Sequence, residues 1–249
     1  MSKKFKFAAL SHIGLVRHGN EDNYGFIEFS QDFPFVAIVA DGMGGHLNGE
    51  LASKVAVEYV QDKLSKDLPL EIDSENILHI LNDVIQKANI KVYLQSLESP
   101  KNRGMGTTLT IAVFYEDSVY IAHIGDSRCF LLRNHYLETL TKDHTVVEKM
   151  IEAGTISPVE IHKHPQRHVL TQALGSPEYL QPDLLHIDLR KRDRFLLSSD
   201  GLHGYVEDKE IENILMHSND PEETCQELVN QALEKGGKDN ITVLNLFFD

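Results

Sequence analysis

Residues 104–133 read GMGTTLTIAVFYEDSVYIAHIGDSRCFLLR, and this stretch decides the fold class. Leu109, Ile111 and Val113 alternate with Thr108, Thr110 and Ala112, the period of two that puts successive side chains on opposite faces of a strand. Glu116-Asp117 reverses the chain, Val119 to Ile124 forms a second strand, Gly125-Asp126-Ser127-Arg128 turns tightly, and Cys129 to Arg133 forms a third. Parallel strands need a crossover of a dozen residues or more, and none fits between these runs. The expectation is an antiparallel meander, which disfavours a dinucleotide-binding fold.

Upstream, the apolar run Phe35-Val36-Ala37-Ile38-Val39 leads into Ala40-Asp41-Gly42-Met43-Gly44-Gly45-His46. A strand there delivers a carboxylate at its end, and the glycines clear side chains away, so that a hard cation or a phosphate can approach both Asp41 and the main chain. Before it, Phe5, Phe7 and Ala9 alternate with Lys4, Lys6 and Ala8 as a first strand. A polar loop from Gly14 to Tyr24 then holds Arg17, Glu21 and Asp22, and Tyr24 to Phe29 pairs with Phe35 to Ala40 across Ser30-Gln31-Asp32. After the glycines a helix starts at Asn48 or Gly49, with Ala52, Ala56, Val60 and Leu64 at helical spacing. A second follows Ser74, with Ile77, Leu81, Val84, Ala88 and Val92. Two such helices in succession form a layer over a sheet.

Downstream, Asp143 to Gly154 reads as a short helix capped by Asp143, and about 146–168 as a polar flap. Its Pro158, Pro165, His162, His164 and His168 sit in an exposed loop. Leu184 to Asp188 and Arg194 to Ser198 are strands, the second ending in Ser199-Asp200-Gly201. Helices run from Asp208 to His217 and from the Asp220-Pro221-Glu222-Glu223 start to the Gly236-Gly237 stop. Asp239-Asn240 precedes a last strand, Ile241 to Phe248.

With 249 residues, 41% of them hydrophobic, and no low-complexity tract, the chain is expected to form one domain, 1–249. The net charge of -14 argues against a nucleic-acid partner, which needs a basic face. Cys129 and Cys225 are far apart and form no CxxC, which argues against structural zinc and disulfides. No apolar run approaches the ~18 residues of a membrane span, and the start lacks a signal peptide's apolar region. A cytoplasmic location without membrane attachment is the expectation.

Asp41, Asp200 and Asp239 border strands, while Glu21, Asp22 and Asp126 sit on adjoining loops. An oxygen-only set of six carboxylates suits Mg²⁺ or Mn²⁺ rather than zinc. The ordered series Arg17 to Asp22, Asp41 to His46 with Gly49-Glu50, Gly106-Thr107-Thr108, Gly125-Asp126-Ser127-Arg128, Ser199-Asp200-Gly201 and Asp239-Asn240 resembles the metal-dependent serine/threonine protein phosphatases of the type 2C class in their compact bacterial form. The resemblance covers almost the whole chain. It implies a four-layer αββα sandwich of the α+β class, with two antiparallel sheets flanked by helix pairs and a small flap near the active site. It also implies hydrolysis of phosphoserine and phosphothreonine by a hydroxide shared between two tightly bound Mn²⁺ or Mg²⁺ ions, with a third ion bound more weakly.

Carried over by position, Asp41 bridges the two ions, Asp200 and Asp239 complete one site, and Glu21 with the Gly42 carbonyl completes the other. Asp22 holds water at the metals, Arg17 grips the substrate phosphate, and Asp126 with Asp200 holds the third ion. Many eukaryotic relatives place a histidine after the Asp-Gly as proton donor, whereas this chain has Met43; His46 is the substitute candidate. The implied partners are phosphorylated proteins, including a serine/threonine kinase and its substrates, met by a monomer. Rival readings are a phosphatase of small phosphoesters on the same fold, a catalytically silent scaffold, and a two-metal nuclease, the last disfavoured by the charge.

Overall fold

The computed structural model describes residues 5–29, 34–44, 47–68 and 74–248. Two antiparallel sheets lie face to face. One has the order β1 (Phe5–His12), β11 (Ile241–Phe248), β10 (Arg194–Ser198), β7 (Arg128–Arg133) and β8 (Tyr136–Thr139). The other has β2 (Asp22–Glu28), β3 (Phe35–Met43), β5 (Leu109–Tyr115), β6 (Ser118–Ile124) and β9 (Asp183–Asp188), with β4 (Gly106–Thr107) paired to β3. Helices α1 (Leu47–Asp67) and α2 (Ser74–Leu97) cover the second sheet. Helices α4 (Asp200–His203), α5 (Asp208–His217) and α6 (Pro221–Glu234) cover the first. This is the αββα sandwich anticipated above. No described helix is long and apolar enough to cross a membrane.

Burial on both faces explains why the central strands read as continuous apolar runs rather than alternating ones. In β3, Val36, Ile38 and Ala40 pack under α1 and α2, while Phe35, Ala37 and Val39 face the other sheet. In β11, Ile241 and Val243 pack under α5 and α6, and Leu244, Leu246 and Phe248 point between the sheets. The inter-sheet layer holds an aromatic cluster, with Phe35 edge-on to Phe5 at 4.8 Å and Phe248 stacked on Phe114 at 5.2 Å. Phe35 opens β3 and Phe248 closes β11, so these rings lie at the end of the sandwich away from Asp41 and Asp239. The start of β2, the ends of β3, β6 and β10 and the start of β11 meet at the opposite, polar end.

Four local expectations change. The three-strand meander breaks at Gly125-Asp126-Ser127: β5 pairs with β6, but β7 crosses to the other sheet, where it pairs with β10 and β8, because two packed sheets each take one side of that turn. Strand β3 runs through Asp41 to Met43 instead of stopping at the aspartate, because Gly42 and Met43 pair with Thr107 and Gly106. Strand β8 was not legible in its four-residue sequence, of which only Leu137 is buried. Helix α3 is Val146–Glu152 and Thr145 caps it, its side chain accepting from the Glu148 N–H. Asp143 is withdrawn from capping because both its oxygens accept from Arg128, at 2.9 and 2.8 Å. The flap continues as a 3₁₀ turn, Pro158–Lys163. The turn at Ser30-Gln31-Asp32 lies outside the described residues.

His123, in β6, is fully buried between the Thr110 hydroxyl at 2.9 Å and the Lys142 carbonyl at 3.1 Å. Burial, aided by nearby His144, pushes its pKa down to about 4 from 6.5. A folded-state pKa below the unfolded one means that this histidine's contribution is fully present above pH 6.5 and is lost as pH falls toward 4. By about pH 5 the loss is about 2 kcal/mol. Urea unfolding of His123→Gln should therefore show a flatter decline between pH 6.5 and 5 than wild type; an equal decline would mean that His123 does not carry it.

Candidate active site

Asp22 and Asp41 face each other across the β2–β3 ladder, so the two-residue pleat puts both carboxylates on one face at the same level. Asp22 is 6% exposed. Its Oδ2 accepts from the hydroxyls of Ser199 and Thr242, both at 2.7 Å, while its Oδ1 is buried with no hydrogen-bond partner. The two hydroxyls belong to the other sheet's side of the sandwich, so Asp22 joins the two sheets at the polar end. Asp41 is fixed through its backbone: its N–H donates to Thr108 Oγ1 at 2.8 Å, and its carbonyl accepts from the Thr108 N–H and the Thr107 hydroxyl, both at 2.9 Å. Thr108 in turn shares a hydrogen bond with Ser127, which ties Asp41 to the Asp126 turn.

Glu21 is held by the far end of the chain. Its N–H donates to Asn240 Oδ1 at 2.8 Å, and Asn240 Nδ2 donates to the carbonyls of Ile13 and Gly19, each at 2.9 Å. The Glu21 carbonyl accepts from the Gly42 N–H and from Ser53 Oγ. A Cβ at Gly42 would overlap the Gly49 carbonyl oxygen, and one at Gly49 would overlap the Glu21 carboxylate. Both glycines are required by this close approach of backbone to backbone and carboxylate.

The remaining acids come from three further segments. Ser199 precedes the short helix α4 with its hydroxyl given to Asp22 rather than to the helix, and Asp200 opens it. Arg17 donates to Asp239 Oδ2 at 2.6 Å, and His168 of the flap lies 3.5 Å from Asp200 Oδ2. Asp126 is partly buried in its turn, where His203 Nε2 meets its carbonyl at 3.1 Å and His203 Nδ1 meets Ser198 Oγ at 3.0 Å. The expected residues thus converge on one end of the molecule. His46 lies outside the described residues. Thr242 and His203 carry no motif signal; Ser199 and Asn240 stand in the motifs without a role of their own, and His168, expected in an exposed loop, instead reaches Asp200. Their roles arise from contacts across the sandwich, although Asn240 and Ser199 flank the motif aspartates.

The electrostatics follow from crowding like charges in a partly dry site. Burial, followed by the charges of Asp200 and Asp239, raises Asp22 to about 7. Burial and then Asp22, Asp200, Asp126 and Asp239 push Asp41 well up, and burial with Asp200 and Asp143 does the same to Asp126. Asp200 moves the other way: burial opposes its ionisation, but His168, His203 and Arg17 outweigh it. Among the described residues no three carboxylate or imidazole groups stand together at ligand distance as they are. The donor set nevertheless fits divalent cations: every candidate donor is oxygen, one buried carboxylate oxygen lacks a partner, and the mutual repulsion is what a cation relieves.

The profile of the family described as protein phosphatase 2C matches residues 16–242. The serine/threonine phosphatase stp of Listeria monocytogenes is 39% identical over 231 residues, covering 93% of this chain and 91% of that one. A serine/threonine phosphatase of S. agalactiae superposes with a TM-score of 0.93 at 30% identity, covering 98% of this chain and all of the other. The catalytic domain of the phosphatase PstP, solved in complex with two manganese ions, superposes with a TM-score of 0.85 at 34% identity, covering 98% and 99%. Sequence, topology and the set of acids at the strand ends agree, and the chain belongs to the protein phosphatase 2C family.

Proposed function

We infer that this protein removes phosphate from phosphoserine and phosphothreonine in other proteins. The convergence of Glu21, Asp22, Asp41, Asp126, Asp200 and Asp239 at one end of the sandwich, with Arg17 paired to Asp239, is the observation that carries this reading. Asp41 would sit between two Mn²⁺ or Mg²⁺ sites, one completed by Asp200 and Asp239 and the other by Glu21 and the Gly42 carbonyl. Asp126 with Asp200 would hold a third, weaker ion. When bound, such ions make water acidic enough to supply hydroxide near neutral pH and offset the phosphoryl charge.

The chain's own residues do the rest. A guanidinium carries five N–H donors, so the Asp239 ion pair leaves Arg17 able to hold a phosphate in its planar fork. The unpartnered Asp22 Oδ1 is the acceptor available to orient attacking water. Met43 has no proton to give, so the leaving alkoxide takes its proton from His46 or from water. The substrates would be phosphorylated proteins, including a kinase and its targets, met in the cytoplasm by a single-domain monomer.

A comparison of three substrates, each with Mn²⁺, tests the reading: a phosphothreonine peptide, a single-stranded DNA and a nucleotide. The peptide should be hydrolysed, chelation should abolish turnover, and added Mn²⁺ or Mg²⁺ should restore it. Hydrolysis of the nucleotide alone would instead make the protein a small-phosphoester phosphatase, and turnover surviving exhaustive chelation would remove metal dependence. Arg17→Ala should raise KM for the phosphopeptide while leaving Mn²⁺ affinity near wild type. An unchanged KM with weakened Mn²⁺ binding would place Arg17 in the metal site instead.

A further inference from the structure

The end of the sandwich opposite the carboxylates has the reverse charge. There the β7–β8 and β9–β10 turns, the start of β1 and the end of β11 surround a depression of about 880 Å³. Lys6, Arg133, Arg190, Lys191, Arg192 and Arg194 line it, against one acid among the described residues, Asp193. Six of the chain's 24 basic residues thus share one depression, in a protein whose net charge is -14.

Two of these cations build the wall. Arg133 grips Asp193 with two donors, at 2.8 and 2.6 Å, and also donates to the Asp188 carbonyl. Arg194 donates to the Leu215 and Ser218 carbonyls and lies over the Phe247 ring. The Asp193 carboxylate also accepts from the Arg190 N–H at 2.7 Å, so it is already occupied. Glu138 and Asp188 act on Arg133 but do not line the depression. The side chains of Lys6, Arg190, Lys191 and Arg192 are exposed and form no ion pair among the described residues. Among the described residues no carboxylate is paired with them.

Arg192 adds a second sign. Its φ is 68°, the left-handed region that glycine or asparagine enters at little cost. Its N–H donates to the Phe248 carbonyl, which accounts for the turn but not for an arginine in it. Of the rings lining the depression, Phe247 and Phe248 are only 6% and 7% exposed and offer no open face, and the one exposed ring there among the described residues is the His135 imidazole. Long, mobile cations around an open depression suit carboxylates and phosphates on an extended chain.

We propose that this basic end docks a glutamate- and aspartate-rich segment of the protein substrate, distinct from the phosphoresidue being cleaved. The proposal rests on the phosphatase reading above. The eight residues of β11 span the two ends, which sets them ~27 Å apart. At about 3.3–3.6 Å per extended residue, a substrate must carry roughly ten or more residues between the two anionic groups to reach both. Docking then raises the effective concentration of the phosphoresidue at the carboxylate end, lowering KM without changing kcat, and weakens with salt.

The test uses the double variant Lys191→Gln/Arg192→Asn, in which asparagine suits the positive φ and Arg133 and Arg194 keep their structural bonds. Two Mn²⁺-dependent substrates are compared, a phosphothreonine peptide of about eight residues and one of about 30 with a glutamate cluster beyond the ten-residue reach. Wild type should show a KM about 5- to 10-fold lower for the long peptide at low salt, and the variant should lose that advantage with kcat and short-peptide KM unchanged. Fluorescence anisotropy of a labelled glutamate-rich peptide without phosphate should show binding to wild type and loss of binding in the variant. An equal long-to-short KM ratio in both proteins, or equal anisotropy, overturns the proposal. So does a depression that binds tripolyphosphate but not the acidic peptide, which would make it a site for small anions. If wild type hydrolyses neither peptide, the phosphatase reading fails while the anisotropy still decides docking.

Discussion

Asp200→Asn and Asp239→Asn should each leave the protein folded and lower kcat on a phosphothreonine peptide by at least about 100-fold at saturating Mn²⁺. An amide is a neutral and weaker ligand than a carboxylate, and both positions belong to the same proposed ion site. Each carboxylate meets a basic side chain that is about half exposed: Asp200 lies against His168 of the flap, 53% exposed, and Asp239 against Arg17, 47% exposed. Exposed ion pairs of that kind contribute little to stability. Removing a negative charge from a crowded cluster also eases ionisation of its neighbours, since Asp200 is among the groups that raise Asp22, Asp41 and Asp126. Circular dichroism and thermal melting should therefore match wild type, while calorimetry shows weakened Mn²⁺ binding. Wild-type kcat in either variant would remove that residue from the ligand set.

Gly201→Ala should be severely damaging, as a methyl at Gly42 would be. A Cβ there would overlap the Asn240 carbonyl oxygen and press on the backbone at Ile241, where no side chain can swing aside. The clash pushes apart the two segments that carry Asp200 and Asp239. It also disturbs Asn240, whose side chain holds the Glu21 N–H and the Ile13 and Gly19 carbonyls. Overpacking against rigid backbone costs about 3 kcal/mol. For a chain of this size that lowers Tm by roughly 10 °C. Activity should fall even at temperatures where the variant is folded, because both ends of the ligand set move together. Melting within about 2 °C of wild type, with unaltered kcat/KM, would show that the two turns are not packed as described.

Gly42 and Gly49 make the same point from the other side of the site. The glycine-rich stretch was legible in the sequence as a place of close approach, but what approaches was not. In the fold it is the Gly49 carbonyl and the Glu21 carboxylate that occupy the missing side chains' space. Met43 lies within a strand rather than in a turn, because Gly106 pairs with it, and that partner lies 63 residues on.

The amino-acid sequence alone determined the antiparallel pairing of β5 with β6, the two helix pairs, the aspartates at strand borders and, through the ordered motifs, the family, but not that β7 leaves β6 for the other sheet. These are properties of local pattern: period two, period 3.6, caps and breakers act over a few residues. The tertiary structure alone decided that Thr145 rather than Asp143 caps α3, since Arg128 claims Asp143 from across a turn. It also decided that Asp22 is locked by Ser199 and Thr242, that flap residue His168 reaches Asp200, and that six basic residues from three segments meet at the far end. Each of these depends on partners distant in the chain, whose meeting is set by how two sheets pack and not by any pattern within one of them.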